Sequence, residues 1–125
     1  MASHANPVNW FEISVGDLAR AKKFYEAILG VVITESEMGP SKMGFFPMEL
    51  GAMGSAGTLV EGEGYTPSMD GTLVYLYVDS IDPTLKLIDD AGGKTLMPRT
   101  SIGEHGFIAH FQDTEGNRVA LHETL

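Results

Sequence analysis

The same order of elements occurs twice along this chain at a nearly fixed separation, and that repeat limits the fold more than any single motif. In VNWFEISV, Val8 to Val15, Trp10, Glu12 and Ser14 alternate with Phe11, Ile13 and Val15, as side chains do on the two faces of a strand. Asp17 can then cap a helix whose apolar positions Leu18, Ala21, Phe24, Tyr25, Ile28 and Leu29 recur at three- and four-residue steps before Gly30 stops it. VVITESE, KMGFFPMEL and AGTLVEG follow as strand segments separated by glycine and proline. The β-α-β-β-β order restarts at TLVYLYV from Thr72, continues through a helix over IDPTLKLIDDA with Pro83 in its first turn, and stops at Gly92-Gly93. It ends with KTLMP, GFIAHF and NRVALHE, the last two joined by the turn QDTEGN. Val15 superposes on Val78, Asp17 on Ser80, Gly44-Phe45 on Gly106-Phe107 and Gly54 on Gly116, an offset of 62 to 63 residues. The reading is an α+β fold, one domain over residues 1–125, made of two β-α-β-β-β modules at about 7–62 and 70–125.

A chain of 125 residues is one ordinary domain, long enough to bury a real core. With 17 acidic against 8 basic side chains, its formal charge of −9 opposes nucleic acid and anionic lipid surfaces. No run approaches the ~18 apolar residues of a membrane span. The absence of cysteine removes disulfides, thiol nucleophiles and Cys-ligated zinc. The opening MASHANPVNW has neither a basic nor an apolar region of a signal peptide, so the expected compartment is the cytoplasm.

VGDLARAKKFYEAILG, a strand exit into a helix with a Phe-Tyr pair before its glycine, and FQDTEGNRVALHE near the end carry a resemblance. Together with the repeat, they make the chain similar to the vicinal oxygen chelate superfamily of glyoxalase I, bleomycin-resistance proteins and extradiol dioxygenases. The resemblance implies that central strands curl into a half-barrel cavity of mixed sheet with the helices outside, and that two chains pair as a homodimer. Metal enzymes of that family place one His or Glu ligand on each of four strands. Carried over residue by residue, those positions fall on Trp10, Thr58, Leu73 and Ala120, none of them a His or a carboxylate. A metal held by oxygen and nitrogen donors is therefore not expected there, which counts against the glyoxalase and dioxygenase reactions.

If Trp10 faces the cavity, alternation sends Glu12 and Ser14 there, and the repeat adds Leu73, Tyr75 and Tyr77, with Arg118, Ala120 and His122 from the last strand. Glu12 is then a general base or ligand anchor, or a carboxylate paired with Arg118 or His122. His122 joins it as a candidate acid or base, or is simply solvated. Trp10, Ser14, Tyr75, Tyr77 and Arg118 are the candidate ligand contacts, although the tyrosines suit a space-filling role equally. The facing of His105 and His110 is open, and with Glu12 and His122 they could build a displaced divalent-metal site. Met38, Met43, Met48 and Met53 recur every five residues, which fits neither helix nor strand; they suit an adaptable apolar wall, copper(I) ligation, or loop and core filling. GAMGSAG lacks the ending of a phosphate loop and precedes a strand, and no nucleophile elbow or His-Glu-x-x-His occurs. The function expected is metal-independent binding of a small molecule in the cavity, with no cofactor. The competing expectations are a lyase or isomerase acting on a small carbonyl or hydroxy compound with Glu12 as base, and a structural module whose cavity its own side chains fill.

Overall fold

The computed structural model describes residues 6–125, the side chain of Met38 excepted. Its elements are β1 (Phe11–Ser14), α1 (Leu18–Leu29), β2 (Thr34–Met38), β3 (Ser41–Phe45), β4 (Gly57–Glu61), β5 (Tyr75–Tyr77), α2 (Ile81–Asp90), β6 (Lys94–Ser101), β7 (Phe107–Gln112) and β8 (Arg118–Glu123), with a 3-10 turn at Gly103–His105. The two β-α-β-β-β modules expected from the repeat are both present. Each builds a four-stranded mixed sheet, ordered β1-β4-β3-β2 and β5-β8-β7-β6. β1 runs parallel to β4 and β5 to β8, a pairing that needs a crossover. Among the described residues no helix is long and apolar enough to cross a membrane.

The helix signals act as read. Asp17 accepts from the Arg20 N–H at 3.1 Å, and Gly30 takes the left-handed conformation that ends α1. The repeat reaches further than its visible matches, because Glu61 Oε1 accepts from the first helical N–H at Leu18 and Glu123 Oε1 does the same at Ile81. Both carboxylates meet the positive end of a helix. Hydrogen bonds from Arg99 and from Ile81 hold the Glu123 carboxyl below its ordinary value.

Several boundaries differ from the sequence reading. β2 starts at Thr34 because Ile33 gives its N–H to Glu26 and Val32 lies exposed. β5 is confined to Tyr75–Tyr77, and β6 runs on to Ser101 through two irregularities in its pairing with β7. The superposition of Gly44-Phe45 on Gly106-Phe107 is corrected. Phe45 pairs with Thr58 and His110 with Ala120, so Phe45 corresponds to His110 and Gly44 to Ala109. The second module makes its hairpin with the longer Ile102–Gly106 connection, which shifts the third strand of the repeat.

Residues opposed across a sheet point the same way. The rows Ile13–Leu59–Gly44 and Leu76–Leu121–Ala109 therefore face the helices, where they join one core with Leu18, Phe24, Tyr25, Ile81 and Ile88. The modules are also clamped through the QDTEGN turn. Tyr25 donates to the buried Asp113 at 2.7 Å, and Asn117 Nδ2 donates to the Ser14 carbonyl at 2.8 Å. Glu115 accepts from the N–H groups of Gly16 and Asp17 and from both Nε and Nη2 of Arg20. Burial would raise the Glu115 carboxyl, but these bonds and one from Thr114 outweigh it and hold the group below its ordinary value.

Candidate functional site

The faces turned away from the helices carry the rows Glu12–Thr58–Phe45 and Ser14–Val60–Met43 in one sheet, and Tyr75–Ala120–His110 and Tyr77–His122–Ile108 in the other. β1 and β5 are the free edges of their sheets and are not paired with each other. Residues of both edges line a cleft of about 740 Å³, so the expected curved surface is made by two sheets that meet across a gap.

Trp10, immediately before β1, packs its ring 6.1 Å from Phe45 and stays 36% exposed. Tyr75 and Tyr77 are 46% and 60% exposed in this chain, so neither ring is packed into the core. Tyr75 meets His110 edge to face at 6.1 Å, and Tyr77 meets His122 at 6.3 Å. Among the described residues lining the cleft only Glu12 is charged. Neither expected partner takes it: Arg118 Nη1 lies 3.2 Å from His110 Nδ1, and His122 Nε2 lies 2.7 Å from the His105 carbonyl. Among the described residues Glu12 makes no ion pair.

Those contacts assign protons. Arg118 can only donate, so His110 Nδ1 accepts and the ring is neutral, with its hydrogen on Nε2. Burial first, and then the Arg118 charge, push the His110 pKa below its ordinary value. Its Nε2 is buried without a partner. A carbonyl can only accept, so His122 carries a hydrogen on Nε2 and cannot take a proton at that atom while the bond holds.

The candidate residues divide among three hollows. Trp10, Glu12, Tyr75 and Tyr77 share the large cleft; Glu12, Ser14 and Arg118 share a crevice of about 190 Å³; Tyr75, Tyr77 and His122 share a hollow of about 440 Å³ with Ile102 and Ile108. Glu12 belongs to the first two. His110 faces this side of the sheet, whereas His105 sits in the 3-10 turn. Met48 and Met53 lie exposed on the loop after β3, and Met53 reaches the cleft; the Met38 side chain falls outside the described ones. Sequence reasoning missed Leu29 and Val31 as cleft residues, since helical spacing assigns Leu29 to the core and nothing in the sequence marks Val31.

At the four positions that would hold a metal, the donors do not fit one. Ala120 is fully buried, in a row between Tyr75 and His110. Thr58 is also fully buried, and its Oγ1 has no hydrogen-bond partner. One neutral hydroxyl beside an indole, an isobutyl and a methyl group is not a divalent-metal donor set. Among the described residues no three His, Asp or Glu side chains converge.

CFP32 of Mycobacterium tuberculosis, which carries a glyoxylase name, is 27% identical over 118 residues, covering 90% of this chain and 44% of that protein. The chain thus spans about half the length of that curated relative. A glyoxylase-like domain-containing protein of Didymella fabae is 30% identical over 123 residues, covering 91% of each chain. The crystal structure of TnmS3, an antibiotic binding protein from Streptomyces sp. CB03234, superposes with a TM-score of 0.73 at 21% identity, covering 99% of this chain and 100% of that one. Residues 7–121 match the Glyoxalase/Bleomycin resistance protein/Dioxygenase superfamily. A match of that length, on a chain with both modules, their parallel edge pairings and their helix caps in place, makes this protein a member of that superfamily.

Proposed function

We propose that this protein binds a small organic molecule in the 740 Å³ cleft, without a metal at the four family positions. The observation that carries the reading is the cleft itself, with Trp10, Tyr75 and Tyr77 partly exposed on its walls and Glu12 unpaired among them. Large, mostly apolar concavities with a few convergent polar groups are where small ligands bind. The antibiotic-binding TnmS3 shares the fold over its whole length and supports a binding role. Ser14 and Arg118 reach such a ligand through the adjoining crevice, and His122 through the hollow on the other side of the tyrosines.

A second reading, a lyase or isomerase of a small carbonyl or hydroxy compound, draws on the same free carboxylate, which could move a proton. His122 would serve it only through Nδ1, since Nε2 is engaged. A second copy of the chain would supply in trans the length that CFP32 carries in one polypeptide, so we expect a homodimer; a monomer by sedimentation equilibrium at micromolar concentration would overturn that pairing.

The test of metal independence is elemental analysis of the purified protein together with calorimetric titration of zinc, nickel, manganese and iron(II). The expected result is no stoichiometric metal and ligand binding unchanged by a chelator. Stoichiometric metal that is lost in Glu12→Gln would overturn the metal-free reading. Turnover abolished in Glu12→Gln with substrate affinity retained would replace binding by catalysis.

A further inference from the structure

We infer that the cleft selects organic cations: its ligand is an aromatic molecule bearing an ammonium or similar positively charged group, held with that charge at Glu12. The inference rests on the cleft being the binding site and goes on to name the ligand class.

Three features of the cleft converge on that chemistry. Glu12 is the one charged residue among its described lining, and neither Arg118 nor His122 is bonded to the Glu12 carboxylate. Glu12 is exposed, so its carboxylate is reachable from solvent, and a ligand cation seated on the aromatic walls gains a charge-assisted hydrogen bond from it. The walls also favour positive charge. Trp10, Tyr75 and Tyr77 all line the cleft with part of their surface free, and the faces of indole and phenol rings attract cations. An aromatic ligand body gains from the same rings by stacking.

The cations already present do not compete at the large cleft. Arg118 shares the smaller crevice with Glu12 but does not line the cleft, it makes no ion pair with Glu12 among the described residues, and its Nη1 is directed to the Nδ1 of neutral His110. No lysine or arginine is among the described residues that line the cleft. An anionic ligand there would face Glu12 with no basic side chain among the described residues of the cleft wall, inside a chain whose formal charge is −9. The net charge alone draws cations to the whole surface, but Glu12 is one of 17 carboxylates and its removal leaves that general field almost unchanged. A preference that disappears with Glu12 is therefore local.

The experiment uses three matched probes: 2-naphthylmethylammonium, 2-naphthylmethanol and 2-naphthoate. The chain has a single tryptophan, so the indole N–H signal of Trp10 in a proton–nitrogen NMR spectrum reports the cleft directly. The expected result is titratable shifts with the ammonium and the alcohol, the ammonium bound about tenfold tighter, and none with the carboxylate over the same range. In Glu12→Gln most of the ammonium's advantage over the alcohol should be lost, while the alcohol changes by less than about twofold. Tyr77→Leu should weaken the ammonium more than the alcohol. Equal affinity of ammonium and alcohol overturns cation selectivity and leaves the cleft as a binding site, and a preference undiminished in Glu12→Gln overturns the placement of the charge at Glu12. No shift of the Trp10 signal with any of the three overturns the cleft reading as well.

Discussion

Tyr25→Phe tests the joint that holds the two modules together. The Tyr25 hydroxyl donates to Asp113 Oδ2 at 2.7 Å, with Tyr25 fully buried and Asp113 2% exposed. A buried hydrogen bond to a charged group contributes about 1.5–3 kcal/mol. The substitution keeps the ring, and with it the edge-on contacts to Phe24 and Phe46. Asp113 is not orphaned, because Asn117 Nδ2 still donates to Oδ2 at 2.9 Å and the N–H groups of Glu115 and Asn117 to Oδ1. The expected loss is therefore at the lower end, about 1.5–2 kcal/mol. Equilibrium urea unfolding followed by circular dichroism measures it, and at a slope of about 1.5 kcal/mol/M the midpoint falls by roughly 1 M. Asp113→Asn as the second arm of a double-mutant cycle should show a coupling of about 1 kcal/mol with Tyr25→Phe. Burial first, and then the Asp113 charge, raise the Tyr25 pKa well above its ordinary value. Its share of stability is thus complete below about pH 10 and is lost as pH rises toward the folded value, a loss absent in Tyr25→Phe. A midpoint shift worth less than about 0.5 kcal/mol, or additive effects in the cycle, would refute the clamp.

Two further outcomes follow from close approaches and from His110. A methyl group on Gly57 would stand 2.6 Å from the Phe11 ring and against the Phe11 carbonyl oxygen, so Gly57→Ala should pry β1 from β4 and cost about 1–3 kcal/mol, read as a lowered melting temperature. Because the folded His110 pKa lies below its ordinary 6.5, the unfolded chain binds protons more readily; stability should be fully present above about pH 6.5 and decline on acidification toward the folded value. In His110→Gln that decline should be shallower, as measured by urea midpoints between pH 7.5 and 5.

The fold was legible because its signals are local. Alternation in VNWFEISV, the three- and four-residue spacing of Leu18 to Leu29, and the stops at Gly30 and Gly92 depend only on near neighbours, and each produced the element expected. Errors arose where a strand's extent is set by its partner. β5 is short because only Tyr75–Tyr77 find a ladder on β8, and the third strands superpose three residues away from their Gly-Phe match because a longer connection precedes β7. Facing was also readable, since period-two alternation sends Glu12, Ser14, Tyr75, Tyr77 and His122 away from the helices as expected.

The sequence by itself determined the two modules, the faces of their strands, and that Trp10, Thr58, Leu73 and Ala120 are neither His nor carboxylate. Residue identity and periodicity are enough for each of these. Only the tertiary structure decided which polar groups find partners. Arg118 turns to His110 and His122 to the His105 carbonyl, so among the described residues Glu12 makes no ion pair at the cleft. Likewise Glu115 holds the start of α1 from the far end of the chain. Such pairings depend on distances of a few ångströms between segments remote in sequence, and those distances exist only once the two sheets are packed on one core.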